Sequence, residues 1–396
     1  MRWTTGLSRN PETTQAFREA AQKLEVDALG EVDVVLVFFS SHHAGQVEAL
    51  GAHMRGEFSD AVCIGCNTSG VIGGGDEVIE EISLAITAGV LPGVDVAPLR
   101  LEPDIHDQPE FDWHGHPGLD ADSTPHFLLL SDPETFDTEA FLTRLDRDFP
   151  DSQKFGGLVT GGGGGNKLIL EGHVFHNGAV GLALSGNLEV DTMVAQACRP
   201  IGEPLIVTRH THNVIHRFDR GDPVDVFRST VGGLGEEDRE LSQHSMFVGI
   251  GLDLKDGEYK QGDFLIRDIV GFNPKTGDLA VAAAVNDLDV VQFHLMDART
   301  SAEEFARLMD EYNERNEGAP RPGAALVFSC VERGETFYGH PNHESKALRE
   351  HLGEVPIGGC FCDGEIGPIG QSTYLHGYAS VVVVFREPSE AESARR

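Results

Sequence analysis

One pattern of strand, helix and glycine turn occurs three times along this chain, with different residues in each copy. Each copy begins with a short apolar run that ends in a small polar residue, and these runs are Val32 to Ser41, Pro125 to Pro133 and Gly323 to Cys330. Apolar residues at helical spacing follow, over Gln46 to Glu57, Thr138 to Asp148 and Ser345 to His351. Repetition of this kind favours a fold assembled from related units.

A glycine-rich turn and a closing strand complete each copy. The turns lie in Ala61 to Gly75, Lys154 to Gly165 and Val355 to Pro368. The spacings from Ser40 to Gly65, Ser131 to Gly156 and Ser329 to Gly358 are 25, 25 and 29 positions, which aligns the three copies. Strand–helix–strand units place their strands in parallel, and the closing strand adds an antiparallel neighbour. The sequence therefore predicts an α/β fold with mixed β-sheets.

Between the second and third copies the chain is rich in strand patterns. They cover Glu203 to Phe218, Asp263 to Pro274, Asp278 to Asp287 and Leu288 to Ala298, and a helix is predicted from Ser301 to Asn316. We therefore expect two domains, residues 1–190 and 200–387, followed by a polar tail at 388–396.

Charge and cysteine content limit the partners of the protein. In 396 residues, 64 acidic side chains face 30 basic ones, a net charge of −34 that opposes nucleic acid and anionic membranes. Six cysteines are too few for a disulfide framework in a chain of this length. The longest apolar runs, Val34 to Phe39 and Val381 to Phe385, are far shorter than a membrane span. The expectation is a soluble cytoplasmic protein.

Several segments resemble the FIST sensory proteins, which have an N-terminal and a C-terminal FIST domain. The most specific are the Gly-Cys-Asn-Thr-x-Gly turn within Ile64 to Gly70 and the Gly-Glu-Ile-Gly-Pro sequence at Gly364 to Pro368. Further similarity covers Asn177 to Gly186, Val207 to Phe227 and Phe264 to Asn273. The resemblance implies a small-ligand sensor of intracellular signal transduction, with amino acids as ligands and an unidentified downstream signalling protein as partner.

The glycine turns are the candidate ligand site, because glycine lets backbone N–H groups approach a ligand where strand ends converge. The candidate residues form two groups, Ser40, Ser41, Cys66, Asn67, Thr68 and Ser69 near the first turn and Cys360, Cys362, Asp363 and Glu365 near the last. The sequence leaves open whether both groups share one pocket. For an amino-acid ligand, Arg267 is the candidate partner of the carboxylate and Glu365 that of the ammonium group, unless Arg267 pairs with Asp263 or Asp268.

Two alternative classes of function remain open on the sequence. A cysteine-dependent enzyme would use Cys66 or Cys360, with His42 or His43 as base. A zinc site could join Cys63 and Cys66 to Cys360 and Cys362, and a row of His210, His212 and His216 on one strand face could bind a metal or haem. The run Gly161 to Gly165 lacks the lysine of a P-loop and is interpreted as a flexible loop. The leading expectation is a sensor without a resident cofactor.

Overall fold

The computed structural model describes residues 1–24, 30–105, 124–252 and 259–389. The chain divides into two compact units. Unit 1 contains Met1–Val194, Ala306–Leu375 and the C-terminal segment from Ala379, and unit 2 contains Ala195–Phe305 and His376–Tyr378.

Strands dominate the described chain. They are β1 (Arg2–Ser8), β2 (Val34–Ser40), β3 (Val62–Thr68), β4 (Gly70–Gly73), β5 (Asp76–Ile79), β6 (Leu84–Val90), β7 (Val94–Leu101), β8 (His126–Ser131), β9 (Lys154–Leu158), β10 (Leu168–Leu170), β11 (His173–Phe175), β12 (Ala179–Gly186), β13 (Glu189–Gln196), β14 (Cys198–Thr211), β15 (Val214–Phe218), β16 (Met246–Gly251), β17 (Phe264–Phe272), β18 (Leu279–Val281), β19 (Val290–Met296), β20 (Ala324–Cys330), β21 (Ile357–Cys362), β22 (Glu365–Ile369), β23 (Ser372–His376) and β24 (Ala379–Arg386).

The described α-helices are fewer than the strands. They are α1 (Thr13–Gln22), α2 (Val47–Glu57), α3 (Thr138–Asp148), α4 (Pro223–Gly232), α5 (Glu236–Leu241), α6 (Ala298–Arg315), α7 (Glu335–Tyr338) and α8 (His343–Leu352). Short 3₁₀ segments occupy Ser41–Gln46, Gly162–Gly164 and Val331–Arg333.

Each repeated segment of the sequence, called a cassette below, forms the centre of one mixed sheet in unit 1. The first cassette runs from β2 through α2 to β3, the second from β8 through α3 to β9, and the third from β20 to α8 and β21. In each cassette the second strand lies parallel to the first. The closing strands β6, β12 and β24 pair antiparallel with those first strands. The predicted α/β class and mixed sheets are confirmed. Every residue of β2, β8 and β20 is buried, as expected for strands covered on both faces.

A hairpin leaves each cassette and completes the sheet of another. Strands β4 and β5 follow the first cassette but join the third sheet beside β21, and β22 and β23 follow the third cassette but join the second sheet beside β9. Strands β10 and β11 follow the second cassette and join the first sheet beside β3. The three cassettes therefore exchange hairpins in a closed cycle.

The opposite edges of the sheets are exchanged in a second cycle that runs in the reverse direction. Strand β7 follows β6 but pairs with β12, and β13 follows β12 but lies beside β24. Strand β1 pairs with β6, and the amino group of Met1 forms an ion pair with Glu387, just after β24. The two ends of the described chain thus meet where the third connection of the cycle would be.

The parallel strand pair of each cassette contains a glycine that lets the two backbones approach closely. A Cβ placed on Gly65, Gly156 or Gly359 would lie 2.3, 1.9 or 1.9 Å from the carbonyl oxygen of Val37, Leu129 or Val327, the residues opposite in register. The alignment of the three cassettes that these glycine contacts give differs from the alignment by spacing in the sequence analysis. The third equivalent glycine is Gly359 rather than Gly358, and Ser40 matches Asp132 and Cys330 rather than Ser131 and Ser329.

Unit 2 is built around a closed barrel with the strand order β14-β15-β18-β17-β16-β19. Apolar side chains fill its core, among them Val207, Val248, Leu279 and Phe293. Strand β16 and the helices α4 and α5 lie in a stretch for which the sequence patterns predicted no element. The barrel follows β13 and precedes β20, so the chain leaves unit 1 and returns to it within the third sheet.

We predict that Gly359→Ala lowers the free energy of unfolding by about 3 kcal/mol or more, because Gly359 has φ 142° and its new Cβ would meet Val327 O. Gly45→Ala is the control, because nothing lies within 4 Å of a Cβ placed on Gly45. This variant should change the free energy of unfolding by less than about 0.5 kcal/mol. Urea titration measures both, and equal stability of the two variants would contradict this account of the close approach.

Candidate ligand-binding site

A buried ion pair lies at the end of the third cassette's first strand. Arg333 ends the 3₁₀ segment that follows β20, and its Nε donates to Glu344 Oε1 at 2.8 Å. Glu344 stands in the first turn of α8, and its Oε2 accepts a hydrogen bond from the Ser380 hydroxyl on β24 at 2.9 Å. Arg333, Glu344 and Ser380 are all fully buried. Removal of either charge would leave the other buried without compensation.

Glu365 is a second buried acid, at the start of the exchanged strand β22. Its Oε2 accepts the Ala379 N–H at 3.1 Å, and its Oε1 lies 3.3 Å from the Gly364 nitrogen and 3.8 Å from Cys362 Sγ. Burial raises the pKa of Glu365 well above its usual range, although the Ala379 N–H, the Arg333 guanidinium and the Gly364 N–H favour the charged form. The environment of Glu365 therefore favours its protonated form more than water does.

Glu77 brings a carboxyl group from the first cassette's hairpin to α8. Its Oε1 accepts the Ser345 N–H at 2.6 Å, and its own N–H donates to Asn342 Oδ1 at 2.8 Å. Burial and the neighbouring Glu344 raise the pKa of Glu77 to about 7, against the hydrogen bonds from the start of α8. We call Arg333, Glu344, Glu365, Glu77 and Ser380 the Arg333 cluster.

Polar atoms around the Arg333 cluster are buried without hydrogen-bond partners among the described residues. They are Ser329 Oγ on β20, Ser345 Oγ on α8 and His343 Nε2 at the start of α8. The His343 ring stacks on Tyr338 with a centroid distance of 3.6 Å, and Arg333 lies 5.8 Å from the Tyr338 centroid. Burial lowers the pKa of His343 to about 4, so this ring is neutral. Buried polar atoms without partners are rare and mark places where a ligand or water completes the structure.

The residues predicted near the first glycine turn mainly hold exchanged segments. Asn67 donates from Nδ2 to Gly165 O at 3.0 Å and accepts the Lys167 N–H at 2.8 Å, so both ends of its amide bind the glycine-rich segment. The Thr68 hydroxyl donates to Phe361 O, and the Ser69 N–H donates to Thr160 Oγ1 at 3.0 Å.

The two serines that precede this turn occupy different surroundings. Ser40 is buried at the end of β2, and its Oγ accepts the Ser83 N–H at 3.1 Å. Ser41 is half-buried, and its Oγ would lie 3.4 Å from a Cβ placed on Gly162. The segment Gly162–Gly164 is a 3₁₀ turn rather than an irregular loop.

Three of the predicted thiols converge in the core of unit 1. Cys66, Cys360 and Cys362 are buried in one apolar cluster. Burial raises the pKa of the Cys360 thiol, and the neighbouring Cys360 together with burial raises that of Cys362. These two thiols stay protonated and are poor nucleophiles, so the geometry gives no support to a Cys360-dependent enzyme.

The four-thiolate zinc site is wrong. Cys63 faces the opposite side of β3, where its Sγ lies 3.6 Å from Ala61 O in the cluster beneath α1 and α2. Residues on a strand alternate between its faces, so Cys63 and Cys66, three positions apart, point in opposite directions. Within the described ranges, no group of three or more His, Cys, Asp or Glu side chains is arranged to hold a metal ion.

The predicted histidine row is also wrong. His210 belongs to β14, His212 occupies the following turn with φ 52°, and His216 lies on β15. A hairpin therefore interrupts the assumed single strand. His210 Nε2 lies 3.6 Å from Asp287, and His216 Nδ1 lies 3.0 Å from Asp278.

The two residues proposed for an amino-acid ligand belong to different units. Arg267 lies on β17 of unit 2, where its Nη1 donates to Ile266 O at 2.9 Å, whereas Glu365 belongs to unit 1. Asp363 is exposed in the turn before Glu365. The guanidinium that acts on Glu365 within unit 1 is that of Arg333, which the sequence analysis missed. The sequence signal for Arg333 was a basic residue just after a mostly apolar strand, where the first cassette has Ser41 to His43.

Two family models together match most of the chain. A model of the FIST N domain matches residues 33–220, and a model of the FIST C domain matches residues 223–368. The chain belongs to the FIST family. FIST domains are sensory domains of signal transduction.

Relatives and solved structures resemble the FIST chain to different extents. An uncharacterised protein of Mycobacterium tuberculosis is 30% identical over 394 residues, covering 97% of this chain and 100% of the relative. An F-box/LRR-repeat protein of Arabidopsis thaliana is 33% identical over 126 residues, covering 29% of this chain and 22% of that protein. A crystal structure of cyanuric acid hydrolase from A. caulinodans aligns over 98% of this chain and 99% of its own, with a TM-score of 0.38 and 8% identity.

The described helices were also compared with the requirements of a membrane span. None of them combines the length and the apolar character needed to cross a bilayer. No disulfide joins any of the six cysteines, and all six are buried.

We predict that Glu77 makes the fold less stable as pH rises. The pKa of Glu77 is about 7 in the folded state and near 4.5 in the unfolded state. Between these two values the folded protein keeps a proton on Glu77 that the unfolded protein has lost. The stabilisation that this proton provides disappears as pH rises through about 7. Between about pH 5 and about pH 8, the free energy of unfolding of wild type should fall by on the order of 1–3 kcal/mol relative to that of Glu77→Gln. The exposed Glu350→Gln on α8 should follow the wild-type curve in urea titrations, and parallel curves for wild type and Glu77→Gln would refute the assignment.

Proposed function

We propose that this FIST protein is a sensor that binds a small amino-bearing metabolite, such as an amino acid, at the Arg333 cluster. The observation that carries the proposal is Glu365, a fully buried acid whose pKa is raised by burial, next to a buried guanidinium and to serine hydroxyls without partners. Perturbed acids with such neighbours are concentrated at functional sites. A ligand ammonium group supplies the positive charge that Glu365 needs in order to ionise.

Neighbouring groups supply the remaining contacts of such a ligand. Cys362 Sγ lies 3.8 Å from Ser329 O and 3.8 Å from Glu365 Oε1, which places the β20 end carrying Ser329 beside the Glu365 carboxyl. Arg333 is the candidate partner for a ligand carboxylate, because guanidinium groups bind carboxylates in a forked geometry. This assignment replaces Arg267 with an arginine of the same unit as Glu365.

The segment that covers Arg333 is a candidate moving part. It runs from Arg333 through α7 to α8 and contains two left-handed backbone positions, Gly339 at φ 75° and Asn342 at φ 60°. Tyr338 from this segment lies over the guanidinium, and His343 stacks on Tyr338. A ligand signals only if it binds two states of the protein unequally, and displacement of this segment would provide a second state.

The proposal retains two expectations from the sequence that concern cellular context. A downstream signalling protein would read the ligand-bound state, and the cytoplasm is the expected location because the chain is strongly acidic and has few cysteines. The raised pKa values of Cys360 and Cys362 favour binding over cysteine chemistry as the role of this region.

We predict that a thermal-shift screen of the standard amino acids and simple amines finds a ligand that raises the melting temperature. Binding at Glu365 releases its proton, so affinity should rise with pH, by up to about tenfold per pH unit below the pKa of that acid. Glu365→Gln should abolish the shift, whereas Glu350→Gln should retain it. The absence of any hit with folded protein, or a hit that survives in Glu365→Gln, would contradict the proposal.

A further inference from the structure

The Arg333 cluster contains more carboxyl groups than basic groups. Its acids are Glu77, Glu344 and Glu365, and its guanidinium, that of Arg333, forms an ion pair with Glu344 at 2.8 Å. Among the described residues, no Lys, Arg or His nitrogen lies within 4.0 Å of the carboxylate oxygens of Glu77 or Glu365. When all of these groups are ionised, the cluster therefore has two more negative than positive charges.

The charged groups next to the cluster do not cancel this excess. Asp363 adds a further negative charge near Glu365, and the His343 ring is neutral because burial lowers its pKa to about 4. The Arg349 guanidinium on α8 lies against Gly75 and forms no ion pair within the described chain. Burial of two uncompensated negative charges is unfavourable, so protons or positive charge from a ligand must balance them.

The two acids without an ion pair have the same kind of neighbour. Glu77 Oε1 accepts the Ser345 N–H at 2.6 Å, so Ser345 lies beside this carboxyl group. Cys362 Sγ lies 3.8 Å from both Glu365 Oε1 and Ser329 O, which places Ser329 beside the other. Both serine hydroxyls are buried and have no hydrogen-bond partner in the part of the chain that the structure describes. We call these two pairs of carboxyl group and serine the Glu77 half-site and the Glu365 half-site.

Both half-sites have the hydrogen-bonding capacity for an ammonium group. A carboxylate has about four acceptor positions. The Ser345 N–H occupies one on Glu77, and the N–H groups of Ala379 and Gly364 occupy two on Glu365. An ammonium group has three N–H donors, enough to reach the carboxylate and the serine hydroxyl of a half-site together.

Glu344 connects the two half-sites. Ser345 of the Glu77 half-site is the residue after Glu344 on α8, and Glu344 Oε2 accepts the Ser380 hydroxyl at 2.9 Å. Ser380 in turn follows Ala379, whose N–H binds the acid of the other half-site at 3.1 Å. The two half-sites thus flank a single carboxyl group that is already paired with Arg333.

We propose that the ligand of this sensor carries two ammonium groups, as an α,ω-diamine does, with one group in the Glu365 half-site and the other in the Glu77 half-site. This inference rests on the proposed function and narrows it. A dication balances both excess negative charges, whereas an amino acid with an uncharged side chain has no net positive charge. Arg333 then stays paired with Glu344, and no ligand carboxylate is needed.

Isothermal titration calorimetry on the full-length protein tests this class of ligand. The probes are diamines with three to six methylene groups and the matched amino alcohols, in which a hydroxyl replaces one ammonium group. At pH 7 the best diamine should bind at least about tenfold more tightly than its amino alcohol, because only the diamine places a positive charge in both half-sites.

Glu77→Gln keeps an oxygen for the Ser345 N–H but removes the charge of one half-site. It should reduce the preference for the diamine to less than about twofold and leave the affinity for the amino alcohol within about threefold of wild type. The exposed Glu350→Gln on the same helix removes an equal charge and should keep the full preference.

Proton release gives a second measurement that needs no variant. At pH 6, where the pKa of about 7 keeps Glu77 mostly protonated, the diamine should release about one proton more than the amino alcohol. Titrations in buffers of different ionisation enthalpy measure this number.

Three results would overturn the inference. Equal affinity for diamines and amino alcohols, with both lost in Glu365→Gln, would leave the proposed function standing without the second ammonium group. A preference for diamines that persists in folded Glu77→Gln would show attraction to the acidic protein as a whole. Binding of neither class to the folded protein would overturn both this inference and the proposed function.

Discussion

The exchange of hairpins among the three cassettes is the constraint on which the rest of unit 1 depends. A strand–helix–strand unit ends on a strand whose outer edge has hydrogen-bonding groups to satisfy, and here that edge is filled by a hairpin from a different cassette. Each of the three sheets includes strands from at least one other cassette, and the second and third sheets include strands from both others. Gly65, Gly156 and Gly359 act within the cassettes, where each brings the second parallel strand against a carbonyl group of the first. Folding of one sheet therefore requires the others.

The same exchange concentrates buried charge in the third cassette. Glu77 arrives on the hairpin of the first cassette, and Glu365 stands where the third cassette's hairpin departs. Arg333 and Glu344 belong to the third cassette itself. Burial of several carboxyl groups with one guanidinium is unfavourable unless protons, hydrogen bonds or a ligand compensate it. The raised pKa values of Glu77 and Glu365 show that protons supply part of this compensation.

Local features of the fold could be predicted from the sequence, whereas pairing between cassettes could not. Apolar runs and helical spacing located β2, β8 and β20 and the helices that follow, and the α3 bounds Thr138–Asp148 agree with the predicted ones. The hairpin partners are non-local, and all three glycine turns have similar apolar patterns, so nothing in the sequence distinguishes the home sheet from a neighbouring one. Cys63 and Cys66 looked like a pair by spacing, yet strand alternation separates them. Arg333 was missed because an isolated arginine after a strand resembles an ordinary surface residue.

The central claim is that Glu365 is a neutral acid at the heart of the site, and infrared difference spectroscopy tests it directly. Spectra of wild type and Glu365→Gln near pH 8, where Glu77 is mostly ionised, isolate the carbonyl stretch of a protonated carboxylic acid at this position. The account predicts that wild type shows this band and that the variant lacks it. A wild-type spectrum in which Glu365 contributes only carboxylate bands would contradict the account.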